Sequence, residues 1–240
     1  MIKYTPKNIR NLKILLNNFI EFHRILIVMF KVVPYSTKLK IGDSKKGSFG
    51  CFALSKVMYE TIKSFKLLVE NNHLIQAHVI SRSYLEQISI FIILLSDVSY
   101  AEKFTDDFLS RRAIKHRDVI KKAARVFREK SGFEDSDWFT QKIVERYKDA
   151  NKYTHVTEEQ LVLSIGAPEE LNDKEYEYGT NEQMDLFLTR IYSGSLLFNV
   201  YFWNFLYNEL IKAKSDNETI LGFIRKLEKT LAQTKNVQLI

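Results

Sequence analysis

An all-α fold, a bundle of about six to seven helices, is what this sequence predicts, and three observations carry the prediction. Three prolines and eight glycines among 240 residues are too few to supply the turns of an all-β chain. Apolar residues make up 45% of the chain and recur at three- and four-residue spacing through most of it. No stretch alternates apolar and polar residues in the manner of a strand. The length suits a single helical domain over 1–240 with chain enough for a substantial core, and there is no internal repeat.

Pro6 after Thr5 suits the first turn of an opening helix over 6–33, and Leu12, Leu16, Phe19, Phe22 and Leu26 form its inner side. Residues 34–50 collect glycines and lysines and read as a flexible loop. A second helix over 51–71 offers Phe52, Leu54, Val57, Met58, Ile62, Phe65 and Leu68 to the core. Asn71-Asn72 then turns the chain into the stretch that organises the rest, residues 72–96.

That central helix is apolar nearly all round, which places it in the middle of the bundle. His78, Arg82 and Glu86, spaced by four, draw one polar line along it. Burying Arg82 and Glu86 costs several kcal/mol each, in order of magnitude, unless they pair. As a sealed pair, each is expected to cost roughly 3–5 kcal/mol when removed alone.

Ser99 is placed to cap a long helix from Tyr100 to about Lys130, with Phe104, Leu109, Ile120, Ala123 and Ala124 on its packed side. A shorter helix over 135–150 surrounds Trp138, Phe139, Val144 and Tyr147. Thr157 begins a short element that ends at Gly166 and Pro168, and the acidic stretch near 166–180 reads as a second flexible loop. A hydrophobic helix over 181–213 and a last helix over 216–234 complete the chain.

One cysteine, Cys51, excludes an internal disulfide framework and a cysteine-based zinc cluster, and it suits a reducing cytoplasm. The uncharged run 191–208 approaches spanning length. Ser193, Ser195, Asn199, Asn204 and Asn208 interrupt it, so a buried aromatic helix and no membrane partner are expected. The net charge of +7 is uneven. Residues 109–130 hold nine Lys/Arg against two acids, and residues 169–185 hold seven acids against one lysine. Three readings follow: RNA or another anionic partner on the basic helix 109–130, the acidic segment lying over that helix, or simply a solvated charged face.

Glycine-rich phosphate loops, His-Glu-x-x-His, the nucleophile elbow and the EF-hand loop are all missing. The five histidines, His23, His73, His78, His116 and His155, have no cysteine or tight carboxylate cluster beside them in sequence. No metal and no cofactor are therefore expected.

Arg82-Ser83-x-x-Glu86 in a hydrophobic helix, followed by Tyr153-Thr154-His155, resembles a bacterial all-helical domain family. That resemblance spans about residues 50–165 and implies that Arg82, Glu86 and His155 converge. More loosely, Arg111 followed after four residues by His116 resembles the signature of the HEPN superfamily, with Arg112 where that family favours Asn, Asp or His. The HEPN resemblance implies a HEPN-like bundle, a homodimer, and a metal-independent ribonuclease of the toxin or phage-defence type. Such cleavage needs a base for the 2′-hydroxyl and a cation at the phosphate. The candidates are His155 or His116 for the first role, Arg82 or Arg111 for the second, and Glu86 as their orienting group. The alternative is a non-enzymatic interaction or regulatory module in which Arg82–Glu86 is a structural pair.

Overall fold

The computed structural model describes residues 6–32, 45–71, 73–110, 119–131 and 218–235, with single helical residues between 141 and 148. Among the described residues there is no strand, and six helices account for nearly all of them. They are α1 (Pro6–Val32), α2 (Lys45–Glu70), α3 (Leu74–Leu94), α4 (Val98–Leu109), α5 (Val119–Ser131) and α6 (Glu218–Lys235).

α3 is the shared wall of the bundle. It packs against α2, α4 and α5, while α1 packs against α2 and α6. From Ile88 to Leu95 every residue of α3 and its cap is buried, which leaves no polar side chain there except Ser89. The hydroxyl of Ser89 donates to the carbonyl of Leu85, one turn back, and Ser55 does the same to Cys51. Such back-bonding lets a hydroxyl sit in an apolar interior without an unmade hydrogen bond. Leu16, Phe19, Phe22 and Leu26 from α1 and Met58, Ile62 and Phe65 from α2 fill the space between the helices.

Three expectations need correction. First, α2 begins at Lys45, inside the segment expected to be a loop up to residue 50. Gly47 and Gly50 both lie within the helix, and at Gly50 the reason is the close approach of α4, not a turn of the chain. A Cβ on Gly50 would meet Thr105 Oγ1 at 2.7 Å. Thr105 donates in turn to the Lys46 carbonyl at 2.7 Å, and Lys46 Nζ lies 2.8 Å from Asp106 Oδ1. The loop near 166–180 and the helix over 181–213 lie outside the described residues.

Second, the long helix from Tyr100 to Lys130 is two helices, α4 and α5, each packed against α3. A continuous helix would separate residues 100 and 122 by about 33 Å. Lys122 Nζ instead stands 4.6 Å from the centre of the Tyr100 ring and 3.2 Å from Asp97 Oδ2. The cap is Asp97, not Ser99. Its Oδ1 accepts the Tyr100 N–H at 3.0 Å, satisfying one orphan donor of the first turn. Ser99 only donates its hydroxyl to that carboxylate. The Ser99 and Lys122 bonds, with the Tyr100 N–H, outweigh burial and hold the Asp97 carboxyl below its ordinary range.

Third, Val57 and Leu109, expected inside, are 47% and 62% exposed. No helix among the described residues is long and apolar enough to cross a membrane; the run 191–208 lies outside them.

Candidate functional site

Halfway along α3 its surface opens. Arg82 and Glu86, one turn apart, have side chains 30% and 22% exposed, so the expected sealed pair is instead a half-buried one at the edge of the core. Arg82 Nε lies 3.4 Å from Glu86 Oε1. Tyr147, brought in by the helical residues near 144–148, donates its hydroxyl to the same Oε1 at 2.7 Å. Arg82 Nη2 donates to the Tyr147 oxygen at 3.4 Å, a long and weak bond. The guanidinium carbon stands 5.4 Å from the Tyr147 ring centre, within cation–π range.

Within α3 this ion pair runs in the less favourable direction. Acid before base is the order that suits the helix dipole, and here Arg82 precedes Glu86. The pair therefore contributes little to the helix by itself. Its use is lateral, because Tyr147 bridges both charges and ties another segment to α3.

Electrostatics hold Arg82 charged and Tyr147 protonated. Burial disfavours the Arg82 charge, but Tyr147 and Glu86 outweigh it and raise its pKa above the ordinary value. Burial first, then the bond to Glu86, pushes the Tyr147 phenol up, although Arg82 pulls the other way. At neutral pH the site thus holds a fixed cation and a phenol that donates and does not serve as a base. It can bind an anion at the exposed side of Arg82. Among the described residues nothing in it is suited to take a proton from a hydroxyl at neutral pH, since Glu86 is already engaged by Tyr147 and Arg82.

Arg82 and Glu86 are thus brought together. His155, Arg111 and His116 lie outside the described residues, as does the Tyr153-Thr154 element. His78 is in α3 one turn before Arg82. Among the described residues no group of His, Cys, Asp and Glu is placed to hold a metal ion.

Two participants were not picked out by sequence reasoning. Tyr147 was assigned to the apolar side of its segment, and its sequence neighbours give no sign of a polar target. Tyr84, between Arg82 and Glu86, faces away from them. Its hydroxyl is hydrogen-bonded to His23 Nε2 of α1, and both residues are fully enclosed. No described group hydrogen-bonds His23 Nδ1. Burial lowers the His23 pKa to about 3, so the imidazole is neutral. A polar residue in the apolar column of a helix, His23 between Phe22 and Leu26, was the available signal.

A second feature borders α3. On α5, Val119, Ile120, Ala123 and Ala124 are buried while Lys121, Lys122, Arg125, Arg128 and Glu129 are exposed. The helix presents a basic outer face beginning near the C-terminal end of α3, where Asp97 holds Lys122.

Comparison of the chain with protein-family models, with curated proteins and with solved structures finds no match. The two resemblances rest on the residues that carry them.

Proposed function

We propose that this protein acts on RNA, with the phosphate backbone held against the exposed face of α5. The observation that supports this reading is that face: four cations on a helix whose opposite side is buried, with Glu129 its one acid. Lys122 is engaged by Asp97, and Lys121 and Arg125 are the contacts we assign to phosphates. Residues four apart on a helix stand roughly 5–6 Å from each other, which sets the two along one strand. Binding of this kind comes from counter-ion release and weakens steeply with salt.

In this reading the protein is a metal-independent effector of the toxin or phage-defence type, working as a homodimer in the cytoplasm, where the lone buried Cys51 stays reduced. Arg82 supplies positive charge at the phosphate, and His155 or His116 is the base. A second reading is favoured by one observation, the mutual engagement of Arg82, Glu86 and Tyr147. It makes the cluster a clamp and the protein a binding module without catalysis.

Anisotropy of a labelled RNA tests the shared part. Lys121→Ser with Arg125→Ser is expected to weaken binding at least tenfold and to reduce the salt slope by about 1.5. Unchanged affinity would remove α5 as the interface, and preference for duplex DNA of equal length would remove RNA as the target. Incubation in EDTA then separates the two readings. Products that vanish in His155→Ala support the nuclease, whereas RNA bound but intact supports the module.

A further inference from the structure

Among the described residues six large hydrophobic side chains stand exposed, and three of them are on α2: Phe49 at 41%, Val57 at 47% and Leu67 at 59%. The inner side of α2 already belongs to the core through Leu54, Met58, Ile62 and Phe65. The helix therefore carries a second apolar set that points outward.

That outward face has an order. Phe49, Ala53, Lys56, Glu60, Lys63 and Leu67 recur at spacings of four and three, the period of a helix that pairs with another helix. Ala53 and Lys63 are half-buried and the other four are exposed. The set is symmetric about Met58, which is itself buried in the core. Phe49 and Leu67 lie nine residues to either side of it, Ala53 and Lys63 five, and Lys56 and Glu60 two.

An antiparallel helix of the same sequence, crossing at the level of Met58, meets its complement at each step. Phe49 faces the second copy's Leu67, Ala53 its Lys63 and Lys56 its Glu60, and a two-fold axis makes every contact twice. A parallel pairing would set lysine on lysine and glutamate on glutamate, which repel. The charges are available for the antiparallel arrangement. Among the described residues Lys56 is in no ion pair, and its Nζ stands 5.8 Å from the Phe52 ring centre. Glu60 holds Lys63 at 3.3 Å yet keeps 67% of its side-chain surface in water, so a second lysine can reach it. A groove of about 560 Å³ between α2 and α3, lined in part by Val57 and Ile80, adjoins the face and offers room for the second copy's side chains.

We propose that two copies of this chain pair in solution through α2, antiparallel, about a two-fold axis at the level of Met58. The pairing gives the homodimer of the proposed function its interface and rests on that part of it, but it needs neither RNA nor α5. The apolar contacts supply the attraction, and the exposed ion pairs set direction and register more than strength. From Phe49 to Leu67 the helix is about 27 Å long and roughly 10 Å wide. That strip falls well below the roughly 800 Å² per partner of a standard interface. A weak dimer is expected, with a dissociation constant on the order of 10–100 μM.

Sedimentation velocity of the full chain without RNA, from about 5 to about 300 μM, brackets that constant. A monomer–dimer equilibrium is expected. Lys56→Glu alone and Glu60→Lys alone should each weaken it at least tenfold, because each sets like charges against one another on both sides of the axis. Mixed in equal amounts, these two variants should dimerise as the parent does, since every lysine then meets a glutamate of the other chain. A change acting only through the fold of α2 could not be rescued by mixing. Leu67→Lys should also weaken pairing at least tenfold, and circular dichroism confirms that each variant is folded. The Lys121→Ser/Arg125→Ser protein should dimerise as the parent does, so a failure of this interface and a failure of RNA binding are told apart. Weakening by both reversals with no recovery on mixing would overturn the antiparallel register. A dimer indifferent to all three α2 variants would overturn the interface and keep the homodimer. A monomer at every concentration would overturn both, and would leave the α2 face to another segment of this chain or to a different protein.

Discussion

α3 carries two polar clusters on opposite sides, and they are built on different terms. Toward α1, Tyr84 meets His23 in a fully enclosed contact with no formal charge. Toward Tyr147, Arg82 and Glu86 form an ion pair and keep part of their surface in water. Residues 82 and 84 are two positions apart, so the helix turn sends them to opposite faces. The comparison shows how a central helix handles polarity. A group that can be neutral is sealed, at the cost of its own ionisation. A group that cannot be neutral stays at the edge, where desolvation is incomplete and a phenol can serve both partners. Burial is the common cause, and it drives the His23 pKa down to about 3 while failing to lower that of Arg82.

Removing the sealed cluster should have the largest effect. Tyr84→Ala deletes a fully buried aromatic side chain and strands His23, for an expected loss of about 3–5 kcal/mol. Tyr84→Phe keeps the volume and should cost about 1–3 kcal/mol, the penalty of leaving His23 Nε2 unpaired. Urea midpoints at pH 7 measure both. Similar losses in the two variants would mean that packing contributes little there and that the hydrogen bond carries the site.

The next effect is one of pH. The folded-state pKa of His23, about 3, lies below its unfolded value near 6.5. The unfolded chain therefore binds the extra proton first as the solution is acidified. Stability from this group is complete above pH 6.5 and is lost as pH falls toward 3, at roughly 1.4 kcal/mol per unit. Between pH 6 and 4.5 the loss should be about 2 kcal/mol, superposed on whatever the carboxylates contribute. His23→Leu should remove that component, so the difference between parent and variant isolates it. Parallel stability–pH curves would show that the imidazole is not enclosed.

Much of this architecture could be read from the residues, and the failures have identifiable causes. The start of α1 follows from Pro6 after Thr5, the central role of α3 from its being apolar nearly all round, and the buried side of α5 from periodicity. The early start of α2 did not, since Gly50 looks like a loop residue until Thr105 is seen across the interface. The break between α4 and α5 was hidden because both helices have apolar faces of the same period. What breaks them apart is a tertiary contact, Lys122 on Asp97 and Tyr100. At the candidate site the spacing of Arg82 and Glu86 was visible, but the degree of enclosure was not. Exposure depends on which helices cover α3, and that is set far from residue 82. Tyr147 could not be found for the same reason.

The smallest expected effect comes from the open cluster and sharpens the comparison most. If Arg82–Glu86 were sealed, each single removal would cost roughly 3–5 kcal/mol by leaving a buried charge alone. With water reaching both side chains, Arg82→Met and Glu86→Leu should each cost about 1–2 kcal/mol, and the double variant should lie within about 1 kcal/mol of the parent. Tyr147→Phe breaks the bridge while sparing the ion pair, and should cost about 0.5–1.5 kcal/mol. A double-mutant cycle over Arg82 and Glu86, measured by urea unfolding in the parent and again in the Tyr147→Phe background, reads the coupling. Coupling that persists without the phenol would mean that the pair holds itself together and the bridge is incidental. Coupling that shrinks with Tyr147→Phe makes the phenol the element that turns a poorly oriented helix pair into a tie between segments. The Arg82→Met/Glu86→Leu variant has a further use, because it leaves the basic face of α5 untouched. RNA binding retained in it, with cleavage lost, would place chemistry at Arg82. Binding and cleavage both retained would make the open cluster a clamp and nothing more.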